Sequence, residues 1–450
     1  MPFNWRALLA IGLAGLVAGC SRKAAEPQSL TVQFTADVDG RLVPCGCFTG
    51  QLGGLTRIAT LFGPADGNDV LRVDVGDAIE GPADYQQIEH RYLLRAFAEM
   101  GYAAANIGHR EAQLGITKLR DLRSHSTVPL LSANLLDAST HKPIFDSHRI
   151  VKHGKWRIAI VGVLDPKGTA ETLGPGLVIE RMETALGSLL PQLKGQADFI
   201  VLLAFANEES MHALAREFYE LDVILGGNVS QPAQQIEREN RSVIFYVTNE
   251  SRAVGSIPLR LHAPHKLELG LAEVKLVSDR IPESSNIRKL AVEYREEIRG
   301  TKLEIDDPQQ IGAELVPGVR NAASYVGSAT CVQCHATAGQ AWRKSAHAHA
   351  FKTLLNLKAD ADPNCIPCHT VGFQTPSGYR REFASSKLVD VGCESCHGAG
   401  SLHVGQRRNG APPADNFRTL GAGDCQKCHH GEFSRPFDWE QFWPAIKHGR

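Results

Sequence analysis

The sequence predicts two domains of unlike class: an α/β domain over residues 30–278, then a mainly α-helical domain over 321–450 with few strands. Two observations carry this. Short β-rich runs alternate with helix-periodic stretches through the first part, and composition changes sharply near residue 320. Residues 321–450 hold nine of the eighteen histidines and eight of the eleven cysteines. At 450 residues, 43 % hydrophobic and 22 % charged, the chain has ordinary globular composition and room for two or more domains. Its 48 basic and 49 acidic side chains argue against a nucleic-acid partner.

In chain order, residues 1–19 read as an export signal. Trp5-Arg6 opens a short basic stretch, 7–17 is an apolar run too short to span a bilayer comfortably, and LVAGC at 16–20 closes it. This ending resembles a bacterial lipobox. The resemblance implies cleavage before Cys20, lipidation of that cysteine, and a tether over 20–29; an ordinary secretory signal is the alternative, and both readings export the protein. Ser21, by resemblance to sorting rules, points to the outer membrane, with the protein facing the periplasm or the cell surface. No later run is long and apolar enough to span a membrane.

Strand-like runs follow at 30–36, 70–75, 156–163, 199–204, 223–225 and 243–247, with helical periodicity at 89–100, 183–193 and 208–219, which is an α/β pattern. Ile287, Leu290, Ala291, Tyr294 and Ile298 then share one face of an amphipathic helix within a linker over 279–320, and DDP at 306–308 and VPG at 316–318 break the chain. Beyond it, Cys-x-x-Cys-His occurs four times, at 331–335, 365–369, 393–397 and 425–429. Each copy offers two thiols, Cys331 and Cys334, Cys365 and Cys368, Cys393 and Cys396, Cys425 and Cys428, for thioether attachment of a c-type haem. Each also offers an adjoining imidazole, His335, His369, His397 or His429, as proximal iron ligand. Paired zinc ribbons are the competing reading, but zinc knuckles require no histidine directly after every second cysteine. Four porphyrins leave too few residues for a conventional core, so the haems themselves supply much of the interior. Helix is expected over 340–357, and loops at Pro363 and at 411–413.

The run YVGSATCVQCH at 325–335 with Trp342, Ser345, His347 and Ala350, the run GCESCHGAGSLH at 392–403, and FDWEQFWPAIKH at 437–448 together resemble the cytochrome c-554-like tetrahaem cytochromes, which accept electrons from hydroxylamine oxidation. The resemblance implies a low-potential electron carrier whose irons are closed by second histidines. Its positions favour His347, His403 and His448 as distal ligands, with His349 a further candidate, while the side chain of His430 should point elsewhere. No methionine from this domain is available, since all four lie at or before Met211.

The first domain carries FTADVDGRL at 34–42, GGLTR at 53–57, VDVGDA at 73–78, GHRE at 108–111, LSAN at 131–134 and ILGGNVS at 224–230. These fragments resemble the 5′-nucleotidase branch of the calcineurin-like metallophosphoesterases, an α/β sandwich that uses two divalent metals. Asp37 and Asp77 match that family's ligands, but Asp39, His109, Arg110, Asn228 and Ser230 stand where it has other ligands, so the site is degenerate. Asp37, Asp39, Asp77 and His109 remain as a candidate set for one divalent metal. Cys45 and Cys47, in the loop after the first strand, form a candidate redox pair, a loop disulfide being the plain alternative. The expectation is an exported, lipid-anchored tetrahaem cytochrome passing electrons to and from redox partner proteins in a respiratory or extracellular chain, with the first domain as docking or substrate scaffold. One alternative is a haem-linked redox or hydrolytic enzyme that uses the Asp37, Cys45, Cys47, Asp77 and His109 cleft on a phosphoester or sulfur compound. Another is a structural subunit of a respiratory complex.

Overall fold

Parallel strands buried on both faces give unbroken apolar runs, and that pattern builds the first domain as two facing sheets. The computed structural model describes residues 27–44, 51–64, 69–169, 172–248, 250–307, 323–383, 387–412, 420–430 and 437–448. The expected signal, Cys20, Cys45 and Cys47 lie outside the described residues.

In one sheet Gln28–Thr35, Val70–Asp74, Tyr102–Asn106 and Leu130–Leu131 run parallel. Gln28–Thr35 also pairs antiparallel with Ala253–Ala263, which carries Lys266–Leu269 and Glu273–Leu276. In the other, Trp156–Leu164, Phe199–Phe205, Val223–Gly226 and Ser242–Tyr246 are parallel, edged antiparallel by His148–His153 and Glu237–Glu239. Every residue of Phe199–Phe205 is buried. Phe34 meets Phe245 edge to face at 6.1 Å across the sandwich, and the Asn106 amide donates to the carbonyls of Val75, Val163 and Leu203 at 2.9, 2.9 and 3.3 Å, tying the strand ends together. The helix foreseen at 89–100 starts earlier and spans Asp84–Glu99; those at 183–193 and 208–219 are Met182–Leu193 and Glu208–Glu217.

The helix Ser285–Gly300 buries the five foreseen residues, Ile287, Leu290, Ala291, Tyr294 and Ile298. It lies against Asp84–Glu99, where Arg91 pairs with Glu297 at 2.7 Å, Arg95 with Glu293 at 2.7 Å, and the Tyr92 hydroxyl donates to Glu297 at 2.9 Å. The same helix grips the second domain. Arg295 donates to the Leu357 carbonyl at 2.8 Å, Glu296 pairs with Lys358 at 2.9 Å, Arg299 pairs with Asp360, and Arg381 reaches back to Asp306 at 2.6 Å.

The second domain consists of short helices, among them Ser328–Cys331, Ala336–Lys344, Ala350–Leu357, Ile366–His369, Cys393–His397, Ser401–Arg408, Ala422–Cys425 and Trp439–Phe442. Its own side-chain core is small, centred on Phe351, Leu354, Ala359, Ile366, Val371, Tyr379 and Leu388. One expectation is corrected: 340–357 is not a single helix. It breaks at Ser345, whose backbone is extended (φ −83°, ψ 159°) and whose hydroxyl donates to the Trp342 carbonyl at 2.7 Å, while the Trp342 indole donates to Val391 O at 2.9 Å. The break turns His347 inward, and His349 stays exposed. No helix among the described residues is long and apolar enough to cross a membrane.

Candidate functional site

The four Cys-x-x-Cys-His motifs sit in or beside single helical turns, which bring two sulfurs and one imidazole to the same side of the backbone. None of the eight cysteines is in a disulfide. The histidine rings then come together in pairs. His335 faces His403 with ring centroids 6.1 Å apart, His429 faces His347 at 6.0 Å, and His397 faces His448 at 6.0 Å. Two imidazoles each bound to one metal through a bond of about 2 Å place their ring centres about 6 Å apart, so each pair is spaced to hold an iron between its nitrogens. The residues therefore fit haem, which when bound supplies the one-electron chemistry.

Hydrogen bonding selects the ligating nitrogen. Nδ1 of His369 donates to the Ala350 carbonyl at 2.7 Å and Nδ1 of His448 to Ile446 O at 2.9 Å, leaving Nε2 for iron in each. Burial pushes the imidazoles of His347, His369, His397, His403 and His429 toward the neutral form that a ligand requires. The chain end closes over two of these places: Phe437 and Phe442 lie 5.8 and 5.4 Å from the His429 ring, and His448 reaches His397. Trp439 and Trp443 stack on each other at 4.6 Å. His430 is exposed.

The motifs also adjoin one another. The Cys331 and Cys393 thiols are within hydrogen-bonding reach, as are those of Cys368 and Cys428, and Cys396 lies close to Cys425. The first motif thus touches the third, the third the fourth, and the fourth the second. A carboxylate that the sequence reading passed over holds part of this together: buried Glu394 accepts from the backbone of Val326 at 3.0 and 3.1 Å, of Gly327 at 2.7 Å and of Gly400 at 2.7 Å.

In the first domain Asp37, Asp39 and Asp77 stand at strand ends with left-handed backbone, φ 53°, 54° and 56°, a costly conformation for residues other than glycine. They surround Arg110. Its guanidinium lies 3.0 Å from Asp37 and 2.7 Å from Asp39, and its backbone N–H donates to Asp77 at 2.8 Å. Thr248 donates to Asp37 at 3.1 Å, and Arg41 stands 3.8 Å from Asp39. Burial raises the Asp39 carboxyl to about 6 against the pull of Arg110 and Arg41, and raises Asp77 well above the usual range, with Glu111 adding to it. Glu111 accepts from the backbone of Asp77, Ile79 and Gly108 at 3.1, 3.0 and 2.9 Å and fixes the loops. His109 is turned away, edge-on to Phe205 at 4.9 Å and hydrogen-bonded to the Asp165 backbone.

The candidate metal set of Asp37, Asp39, Asp77 and His109 is corrected accordingly: three carboxylates gather, the imidazole does not, and a fixed cation stands among them. Among the described residues no three or more His, Cys, Asp and Glu side chains gather as the ligand set of a metal ion. This donor set does not fit the divalent metals of the fold. The sequence showed the lost histidines; where the guanidinium lies depends on loops that only the tertiary fold positions.

The first domain has the α/β fold seen in 5′-nucleotidase-type, calcineurin-like metallophosphoesterases, and the second is similar to cytochrome c-554. Residues 330–398, which include the first three motifs, match the family model for cytochrome c554 and c-prime. Cytochrome c-554 of Nitrosomonas europaea is 36 % identical over 101 residues, 19 % of this chain and 43 % of that protein. The snake venom 5′-nucleotidase of Gloydius brevicauda is 27 % identical over 244 residues, 50 % of this chain and 40 % of that protein. The solved 5′-nucleotidase precursor of Thermus thermophilus superposes with a TM-score of 0.53 at 22 % identity, over 60 % of this chain and 59 % of that one, and shares the fold. The chain thus spans less than half the length of the curated relatives it matches.

Proposed function

We propose that the chain is an exported tetrahaem electron carrier, anchored to the outer membrane through a lipid on Cys20 and serving redox partner proteins in a respiratory or extracellular chain. The observation that carries this reading is the set of three imidazole pairs at 6.0–6.1 Å, each joining a motif histidine to a histidine from elsewhere in the domain. An iron held by two imidazoles changes its geometry little between oxidation states, which suits electron passage over substrate binding. The order of motif contacts, first, third, fourth, second, sets two ends for that passage. The second motif lies against the first domain, since Asn364, just before Cys365, donates to Glu80 at 3.1 Å.

In this reading the first domain is a docking or substrate-gathering scaffold, with Arg110 in place of metal-assisted hydrolysis. Mass spectrometry of the mature protein should find four covalently attached haems and a lipid on Cys20. Reductive titration should then show four one-electron steps. Three or fewer haems in protein matured by a competent host overturns the carrier reading, and an unmodified Cys20 overturns the anchor.

A further inference from the structure

At the joint between the domains two buried carboxylates and a half-buried one meet. Glu89 lies on Asp84–Glu99, Asp362 on the loop entering the second haem motif, and Glu80 reaches between them from the loop after Val70–Asp74. Glu89 and Asp362 are 7 % and 6 % exposed. The Asn364 amide donates to Oε2 of Glu80 at 3.1 Å and to Oε2 of Glu89 at 3.5 Å, so two carboxylate oxygens converge on one NH2. Gly40 closes the same place: a Cβ there would stand 3.2 Å from Glu89 Oε2.

The cations that act on the group also have partners of their own. Arg41 stands 3.8 Å from Asp39 and 3.6 Å from Glu250, Arg295 donates to Leu357 O at 2.8 Å, and Arg381 pairs with Asp306 at 2.6 Å. Tyr85 and Tyr294 complete the surround. The Tyr294 hydroxyl lies in the same place. The residue is 3 % exposed, its hydroxyl has no hydrogen-bond partner, and it lies close to Asp362, Glu89, Glu80 and Cys365 of the second motif. A buried donor aimed at carboxylates is in place to bond whichever oxygen gives up a proton. Burial pushes the Glu89 carboxyl well above its usual range and raises that of Asp362; the charges of Asp362 and Glu80 add to the shift of Glu89, and that of Glu80 to the shift of Asp362.

We propose that Glu89, Asp362 and Glu80, beneath Tyr294, form a proton-storing site that couples proton uptake to reduction at the second haem motif. This rests on the tetrahaem reading. Cys365, Cys368 and His369 would hold the haem, and one electron delivered to it by a reduced partner protein would be matched by one proton from water that converts a carboxylate of the cluster to the neutral acid. Reoxidation returns the electron to an acceptor protein and the proton to water. Because the group titrates as a unit, the proton belongs to the cluster and not to one residue.

The test is spectroelectrochemical titration of the purified holo-protein across pH, after haem stoichiometry is fixed by mass spectrometry. One of the four one-electron steps should fall by up to about 59 mV for each tenfold drop in proton concentration, the limit for one proton per electron. Glu89→Gln or Asp362→Asn should flatten that step and leave the other three unchanged. Fewer than four haems overturns both this proposal and the reading beneath it. Four haems with a pH-independent set of potentials overturns the proposal alone, as does a slope that survives in both variants. Should either variant fail to load four haems, infrared difference spectra of the native protein decide: reduction must raise a protonated-carboxyl band that shifts in heavy water, and its absence overturns the proposal.

Discussion

Replacing Arg110 by methionine removes the cation from the cleft while keeping most of the side chain's bulk. The guanidinium stands 3.0 Å from Asp37 and 2.7 Å from Asp39, whose side chains are 19 % and 10 % exposed. At about 3 Å and an effective dielectric of about 20, each contact is attractive by about 5 kcal/mol before desolvation is subtracted. Losing one member of a buried pair costs about 3–5 kcal/mol, because the partner is left charged without compensation. Arg110 is itself 31 % exposed, which places the expected loss at the lower end, about 3 kcal/mol. Urea denaturation at pH 8 measures it. Two further signatures separate this account from a loss of packing. Below the Asp39 titration near 6 the penalty should shrink, since that carboxyl then takes a proton. Manganese should restore stability to Arg110→Met, by about 2.7 kcal/mol at a hundred times its dissociation constant, and leave the native protein unaffected. Equal stability of variant and native protein at pH 8, or equal stabilisation of both by manganese, would refute the assignment of Arg110 as the resident cation.

Further outcomes follow from the same geometry. His448→Ala should keep all four haems attached, open one axial position at the site of His397, and shift one potential by roughly 0.1 V, a fraction of the about 0.8 V range that axial ligands command; an unchanged low-spin spectrum refutes that pairing. Burial raises the Asp39 carboxyl from 3.8 to about 6, so the folded state binds the extra proton. Stability should therefore fall as pH rises from about 4 to 6, by about 3 kcal/mol, and level off above, a slope absent from Asp39→Asn in parallel denaturation curves. Glu394→Gln weakens three backbone anchors and should cost about 2 kcal/mol in thermal unfolding of the holo-protein. Nucleotide hydrolysis by the native protein with added manganese or zinc should stay at background; hydrolysis lost in Asp77→Ala would contradict the degenerate cleft.

Much of the fold was legible in the sequence because central parallel strands such as Phe199–Phe205 are buried on both faces and read as continuous apolar runs. Edge elements were not. Glu237–Glu239 is polar and partly exposed, and Lys266–Leu269 alternates over only four residues, too short a run to stand out, so both are fixed by their antiparallel neighbours. The four Cys-x-x-Cys-His copies stand out in the sequence, since haem attachment demands a fixed local spacing. Which remote imidazole faces which motif is a tertiary matter, and no local pattern says that His448 lies opposite His397 while His347 lies opposite His429. Glu89 was illegible for another reason. It stands among the charges of an amphipathic helix, and only the docking of Asp362 and Tyr294 from distant segments makes it a buried acid.

The degenerate cleft keeps its three left-handed aspartates, each costing about 1–3 kcal/mol of backbone strain. Strain of that size persists only where surrounding contacts over-determine it, and here those contacts no longer converge on a metal. They run outward instead. Arg110 holds Asp39, Arg41 stands beside Asp39 and acts on Glu89, and Asn364 ties Glu80 to the loop that carries Cys365. Charge at the old ligand positions is therefore felt, through a few contiguous side chains, at the second haem motif. Arg41 is the shared member, since it stands beside Asp39 and lowers the proton affinity of Glu89. The loops around Asp39 are thus linked by neighbouring charges to the segment that carries Cys365.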